Sequence, residues 1–442
     1  MRFREAIYHT AAWAQGTPFR TELSAALERQ YWSQATLRQW QLDKLNALIA
    51  HARTTTDYYR GLPTSPLQSL DDIRDLPILN KDALRQHRNQ MSSPTGSRGA
   101  VSKTTGGSTG APVTLFKSRR AMAVELAATW RGMSWAGVHP GDKQARFWGV
   151  PHSLSGRIKA RLTDTATNRF RCSAFAFTAS DLRRFHEALL KRRPVYCYGY
   201  VSMLRALSDY ITSNDLTRPS SLVAVITTAE PLTSPDRRNL ESALNAPVFN
   251  EYGCGELGTI AHECEQHNLH ENQDTHFLEV LDDQGRPAND GDLGHIVLTD
   301  LFNYATPLIR YHIADSASSS AVPCDCGRTL RVITELAGRE YDMLINKDGD
   351  RFHGEFFLYI FEELARNGLS VSAFRITQTG VDDLTLEIAA PSTSIINKVS
   401  NYMLDRLRRN FSNSVTLHTK KVDQIPRESS GKTRIIRRLT DA

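Results

Sequence analysis

Ser102-Lys103-Thr104-Thr105-Gly106-Gly107-Ser108-Thr109-Gly110-Ala111-Pro112 sets three glycines among the hydroxyls of Thr104, Thr105, Ser108 and Thr109, then stops at Ala-Pro. Glycine lets a backbone come close to a bulky anion, and consecutive N–H groups in such a turn form an anion-binding concavity. The hydroxyls add donors without bulk, and no acidic residue interrupts the run. The apolar stretch Met122 to Trp135 supplies a helix on the same side. The stretch is not a Walker loop, because Gly110 is followed by Ala-Pro rather than Lys-Ser/Thr. Glycine, serine and threonine also make flexible connectors, so the rest of the 442-residue chain has to decide between phosphate binding and a plain linker.

That length allows a large core plus a second unit. With 40% hydrophobic and 23% charged residues the composition is that of a globular protein, which disfavours disordered and membrane classes. No apolar run is long enough to span a bilayer. Ala11-Ala12-Trp13-Ala14 is too short for a signal-peptide core, so the expected location is cytoplasmic. Six cysteines are too few for a disulfide scaffold. The net charge of +6 is concentrated in the tail, at Lys420, Lys421, Arg427, Lys432, Arg434, Arg437 and Arg438. No aromatic follows Phe411, so a nucleic-acid surface is not expected, whereas a small anionic ligand such as ATP accounts for the bias.

Residues 1–95 read as helices, with Asn80 capping a new one after Leu-Pro-Ile-Leu. From Phe116, apolar helical patterns alternate with short extended runs at 145–150, 195–200, 222–228 and 247–252. This predicts α/β layers with a parallel sheet, whose ligands lie at the carboxyl ends of strands. Two of those ends are polar: Ala229-Glu230-Pro231 and Tyr252-Gly253-Cys254-Gly255-Glu256. The second also satisfies G-x-G-x-x-G over Gly253–Gly258, the dinucleotide fingerprint of a nicotinamide-dependent oxidoreductase. Thr259 to His270, however, does not read as the amphipathic helix such a box should open. Glu256 inside the box would repel a pyrophosphate unless a cation intervened, which suits a Mg²⁺ ligand better. Residues 276–315 alternate like antiparallel strands and end in Pro307-Leu-Ile-Arg-Tyr-His-Ile-Ala-Asp315. After about residue 340 a small α/β unit is expected, closing on Ile425-Pro-Arg-Glu-Ser-Ser-Gly-Lys432.

Taken in order, these motifs resemble the adenylate-forming superfamily over the chain from about residue 36 to the end. The likeness is to its phenylacetate–CoA ligase branch, closest to the capsular-polysaccharide-biosynthesis subgroup. The resemblance implies a large adenylation domain, 1–338, with layered parallel sheets, helices and a β-rich section, and a small mobile α+β lid, 339–442. It implies attack of a carboxylic acid on the α-phosphate of Mg·ATP, release of pyrophosphate, and transfer of the acyl group to coenzyme A or an amine. Thr104 to Gly110 and Glu256 with Mg²⁺ would hold the phosphates. Tyr252, Gly253 and the Ala229-Glu230-Pro231 turn would frame adenine, and Asp315 and Arg339 would hold ribose. Lys432 would bring the two anions together. A homodimer is compatible with the resemblance. Where the family hinge reads Gly-Arg-x-Asp-Asp, this chain reads Gly338-Arg-Glu-Tyr-Asp342, with Tyr341 at the pivot. The glycine usual after the hinge is replaced by Lys347-Asp-Gly-Asp350, which bears on coenzyme A as the acceptor. A non-catalytic nucleotide-binding relative would not need Glu256, Asp315 and Lys432 together.

Cys264, His270, Cys324 and Cys326 give C-x₅-H and C-x-C, four ligands of the kind that close a structural zinc site. His267 competes with His270, and a reduced C-x-C beside an unrelated histidine is the alternative. The branch carries a structural Zn²⁺ on this pattern, so the resemblance favours the metal. Cys172 and Cys197 read as core thiols. Trp148, His152, Phe175, Phe177, Tyr198 and Tyr200 are candidates for an aromatic-tolerant acid pocket, although aromatics at strand ends also serve as core.

Overall fold

The apolar runs separated by helix-length segments become strands of one sheet in a computed structural model. It describes residues 4–5, 8, 10, 17–105, 113–148, 154–173, 178–320, 323–337, 344–349, 351–352, 355–369, 371, 373–390, 392–423, 425 and 435–439. Helices α1 (Phe19–Arg29), α2 (Gln34–Thr55) and α3 (Lys81–Met91) form the N-terminal part, with a 3₁₀ turn at Leu70–Asp75. Asn80 caps α3 by accepting from the Ala83 N–H, as expected. Strands β1 (Val101–Thr105) and β2 (Val113–Lys117) pair antiparallel, so residues 106–112 connect the arms of a hairpin.

The alternation that follows is α4 (Arg119–Trp135), β3 (Gln144–Trp148), α5 (Leu154–Ala166), β4 (Arg169–Ser173) and α6 (Ala179–Arg192). It continues through β5 (Tyr196–Tyr200), α7 (Val201–Ser213), β6 (Ala224–Thr228), α8 (Ser234–Leu244) and β7 (Val248–Cys254). Strands β4-β3-β5-β6-β7 are parallel. Every residue of β5 and β6 is buried, as a sheet covered on both faces requires. Side chains alternate between two cores. Phe147 and Cys197 pack under Met203, Leu204 and Leu207 of α7. Tyr196, Tyr198 and Ile226 face Trp130 of α4 and Phe19 of α1.

Beyond β7 come β8 (Gly258–Glu263), β9 (Leu269–Glu271), β10 (His276–Leu281), β11 (Gly294–Asp300), β12 (Tyr311–Ser320) and β13 (Val332–Ala337). The expected parallel sheet and β-rich section are one 11-stranded sheet joined at β7, which pairs parallel with β6 and antiparallel with β8. A buried ion cluster ties the helices to it. Asp274 accepts from Arg29 at 2.8 Å and pairs with Arg131 at 2.9 Å. Burial pushes against its charge, but the two guanidiniums hold its carboxyl below the usual range.

The C-terminal part has its own core, built on Phe356, Phe361, Phe374 and Met403. A hairpin of β14 (Leu344–Ile345) and β15 (Arg351–Phe352) leads into α9 (Glu355–Arg366). Then β16 (Ala373–Gly380), β17 (Asp383–Ala389), α10 (Thr393–Asn410), β18 (Thr416–Lys421) and β19 (Ile436–Arg438) give a sheet ordered β18-β17-β16-β19. The α+β character expected of this unit is what the structure has. Among the described residues, no helix is long and apolar enough to cross a membrane.

Candidate active site

The carboxyl ends of β3, β5, β6 and β7 open onto a cavity of about 650 Å³, within the roughly 300–1,000 Å³ usual for small-molecule sites. Of the residues singled out in the sequence, Thr104, Ala229, Glu230, Pro231, Tyr252, Gly253, Glu256 and Asp315 all line it. Thr105 ends β1, and only its backbone is described. Gly106, Gly107, Ser108, Thr109, Gly110, Arg339, Tyr341 and Lys432 lie outside the described residues, as do His152, Phe175 and Phe177.

Tyr252 and Asp315 come together from β7 and β12: the phenol donates to Oδ2 at 3.0 Å. The Ala229-Glu230-Pro231 turn is fixed by its own acid. Glu230 accepts from the Ser202 N–H at 2.6 Å and the Ser202 hydroxyl at 2.9 Å, so the carboxylate sits on the N-terminal turn of α7 where the helix dipole favours it. Ala229 has φ +68, a left-handed geometry that an alanine adopts only when its surroundings impose it.

Further charged residues line the cavity, Lys81, Glu125, Arg146 and Glu251 among them, with no role assigned from the sequence. Lys81, the first residue of α3, stands 3.2 Å from Glu256. The strand-like piece before it is held by hydrogen bonds from the Leu79 N–H to the Arg310 carbonyl at 2.9 Å and from the His312 N–H to the Leu79 carbonyl at 2.8 Å. Arg310 clamps the same segment through Glu279 and the carbonyls of Arg74 and Leu76. A lysine in a first helical turn opposes the dipole, and that was the available signal. Glu125 of α4 binds Lys103 at 2.8 Å and Lys117 at 2.6 Å, one from each arm of the β1–β2 hairpin. Burial opposes both charges, yet the lysines hold Glu125 down at about 2, and Glu125 with Asp300 holds Lys117 up at about 12. In the sequence Arg146 and Glu251 read as ordinary residues of strand-like runs, and they lie in β3 and β7. Burial pushes the Glu251 carboxyl up to about 7, against the hydrogen bond from Tyr198.

The G-x-G-x-x-G stretch Gly253–Gly258 is the β7–β8 hairpin rather than a strand-to-helix turn. It offers no helix N-terminus to a pyrophosphate, which removes the geometric basis of the oxidoreductase reading. Its glycines serve close packing: a Cβ on Gly253 would meet the Gly258 carbonyl at 2.5 Å.

Behind the cavity wall, Cys264, His270, Cys324 and Cys326 bring their ligand atoms within 4.8 Å of one another. His270 Nδ1 lies 2.8 Å from the Leu330 carbonyl, and Nε2 faces Cys326 Sγ at 3.3 Å. That is the tautomer a zinc-bound imidazole adopts. Asn268 and the Gln266 N–H donate to the sulfurs of Cys324 and Cys264, as donors around thiolates do. The donor set fits Zn²⁺. His267 pairs with Arg237 and Glu263 instead. Cys172 and Cys197 are buried thiols, as read.

Residues 344–438 match the CapK C-terminal domain family. The chain is 23% identical to protein CapK of Staphylococcus aureus over 367 residues, covering 82% of this chain and 79% of that one. It is 26% identical to the phenylacetate-coenzyme A ligase of Thermus thermophilus over 329 residues, covering 70% and 72%. A crystal structure of an open conformation of 2-hydroxyisobutyryl-CoA ligase, in complex with 2-HIB-AMP and CoA, shares its fold. The TM-score is 0.61 at 20% identity, over 92% of this chain and 93% of that one.

Proposed function

We propose that this chain, a relative of phenylacetate-coenzyme A ligase and CapK with the fold of the adenylate-forming ligases, activates a carboxylic acid with ATP. The acid's carboxylate attacks the α-phosphate, the α–β phosphoanhydride breaks, and pyrophosphate leaves. The acyl group then passes from the acyl-adenylate to coenzyme A or an amine, and AMP is released. One observation carries the reading: Tyr252 and Asp315, joined at 3.0 Å, line the same cavity as Thr104 and Glu256 at the carboxyl ends of the strands.

The chemical demand is to bring two anions together, so the protein's contribution is positioning and charge. Asp315, oriented by Tyr252, is assigned to the ribose hydroxyls, together with Arg339. The 104–110 loop, rooted at Glu125 through Lys103 and Lys117, is assigned to the phosphates. Lys432 is assigned to the reacting carboxylate and α-phosphate. Glu256 is the acid suited to Mg²⁺: it is buried, and its partner Lys81 marks a place where positive charge is favoured. When bound, Mg²⁺ neutralises phosphate charge and steadies the departing pyrophosphate. Zn²⁺ on the Cys264 cluster would be a structural cross-link.

The test is ATP–pyrophosphate exchange across aryl, fatty and amino acids. Exchange that depends on one class of acid and is lost in Asp315→Ala supports the reading. No exchange with any acid overturns it.

A further inference from the structure

Two ionisable groups that line the cavity, Glu251 and Arg146, have no part in the assignments above. Glu251, 6% exposed, accepts from the Tyr198 hydroxyl at 3.0 Å through Oε1. Among the described residues its buried Oε2 has no hydrogen-bond partner, and the same is true of the buried Nε of Arg146. Both residues line the cavity, and Tyr198 lies between them, with the Arg146 guanidinium 5.1 Å from its ring centroid. Trp148 stacks on Tyr198 with centroids 5.7 Å apart at 18°, and Arg146 lies 4.7 Å from the Trp148 ring centroid. Around Tyr198 the cavity therefore offers aromatic walls, a buried carboxylate oxygen and a buried guanidinium N–H.

Leaving such groups unpaired is costly, and a site built to hydrogen-bond a substrate strongly rejects the analogue that lacks the matching group. An apolar tail would leave both atoms unsatisfied. An ammonium would suit Glu251 but be repelled by Arg146, and a second carboxylate would suit Arg146 but be repelled by Glu251. A hydroxyl both donates and accepts, so it serves either residue without a charge penalty.

Resting on the acid-activation reading, we propose that the acid is a hydroxylated aromatic carboxylic acid, its ring against Trp148 and Tyr198 and its hydroxyl groups on Glu251 and Arg146. Glu251 and Arg146 then determine which acid is accepted, while the nucleotide end stays common to all.

The experiment is ATP–pyrophosphate exchange by the full chain with benzoate, phenylacetate and cinnamate, each beside its 3-hydroxy, 4-hydroxy, 3,4-dihydroxy, 4-amino and 4-carboxy forms. The expected result is a kcat/KM at least about 100-fold higher for a hydroxylated acid than for its unsubstituted parent. Glu251→Leu should reduce that ratio below about tenfold, mainly through loss on the hydroxylated acid. Equal or better use of the unsubstituted, amino or carboxy acids overturns the inference while leaving acid activation standing. Exchange with a fatty or amino acid but with none of these overturns the inference as well, and absence of exchange with every class of acid overturns the activation reading itself. The wild-type comparison decides even where the variant fails to fold.

Discussion

The ammonium of Lys81 stands 3.2 Å from the carboxylate of Glu256, joining the first turn of an N-terminal helix to the hairpin that follows the last parallel strand. Both groups are largely buried, so the pairing helps to offset the water each has lost. Lys81→Met should cost the nucleotide-free protein about 2 kcal/mol, because it removes the paired ammonium from a buried carboxylate. Mg·ATP should then raise the melting temperature more in the variant than in the wild type, since a bound cation takes the vacated role. An equal or smaller rise would refute Glu256 as the metal carboxylate.

Tyr252→Phe removes the hydrogen bond of 3.0 Å that the phenol donates to Asp315 Oδ2. A hydrogen bond to a charged group is worth about 1.5–3 kcal/mol, so KM for ATP should rise about tenfold with kcat little changed. Asp315→Ala should lower kcat/KM for ATP by about 100-fold or more. If both variants kept the wild-type KM in exchange kinetics, these residues would not be at the nucleotide.

Glu251 sets a pH signature. Its carboxyl is pushed by burial from the ordinary 4.5 up to about 7, so the native state keeps a proton that the unfolded chain has lost. Its contribution is most favourable below pH 4.5 and is lost as pH rises to about 7. Glu251→Gln should therefore gain on the wild type between those values, by up to about 3 kcal/mol, and no further above. Urea unfolding of both proteins at pH 5 and pH 8 measures this, and a difference independent of pH would contradict it.

The purified protein should carry one zinc per chain by elemental analysis, and a strong chelator should lower its melting temperature. The double variant Cys324→Ser, Cys326→Ser should lose the metal. Stoichiometric zinc retained by that variant would exclude this cluster as the site.

Gly258 has φ +86, and a Cβ there would fall 2.2 Å from the carboxyl carbon of Glu125. Gly258→Ala should cost about 2–3 kcal/mol in unfolding free energy through backbone strain and the displaced carboxylate. A variant as stable as the wild type would mean that Glu125 can move away without loss.

Those predictions lean on residues of two kinds. Tyr252, Asp315 and Glu256 were legible because each stands in an ordered string after a strand-like run, and the apolar runs of β5 and β6 are unmistakable when every residue is buried. Glu125, Lys117, Arg146 and Glu251 were not legible. Each is a charge inside an apolar segment, and its partner comes from another element, as when β5 brings Tyr198 to Glu251 of β7. Sequence periodicity reports which face a residue takes, not which charge waits there. The G-x-G-x-x-G match misled for a related reason: three spaced glycines satisfy a tight hairpin as readily as a phosphate turn, and only the pairing of β7 with β8 distinguishes them.

Helix α4 holds the β1–β2 hairpin at Glu125, while its last residue, Trp135, lies edge-on to His270 with centroids 5.8 Å apart. About 15 Å of helix separates the two attachments. A rod pinned at both ends carries a displacement from one to the other. Under the roles proposed above, stripping zinc from the cysteine cluster would therefore register as a loosened grip on nucleotide, in an enzyme whose reacting groups had not been touched.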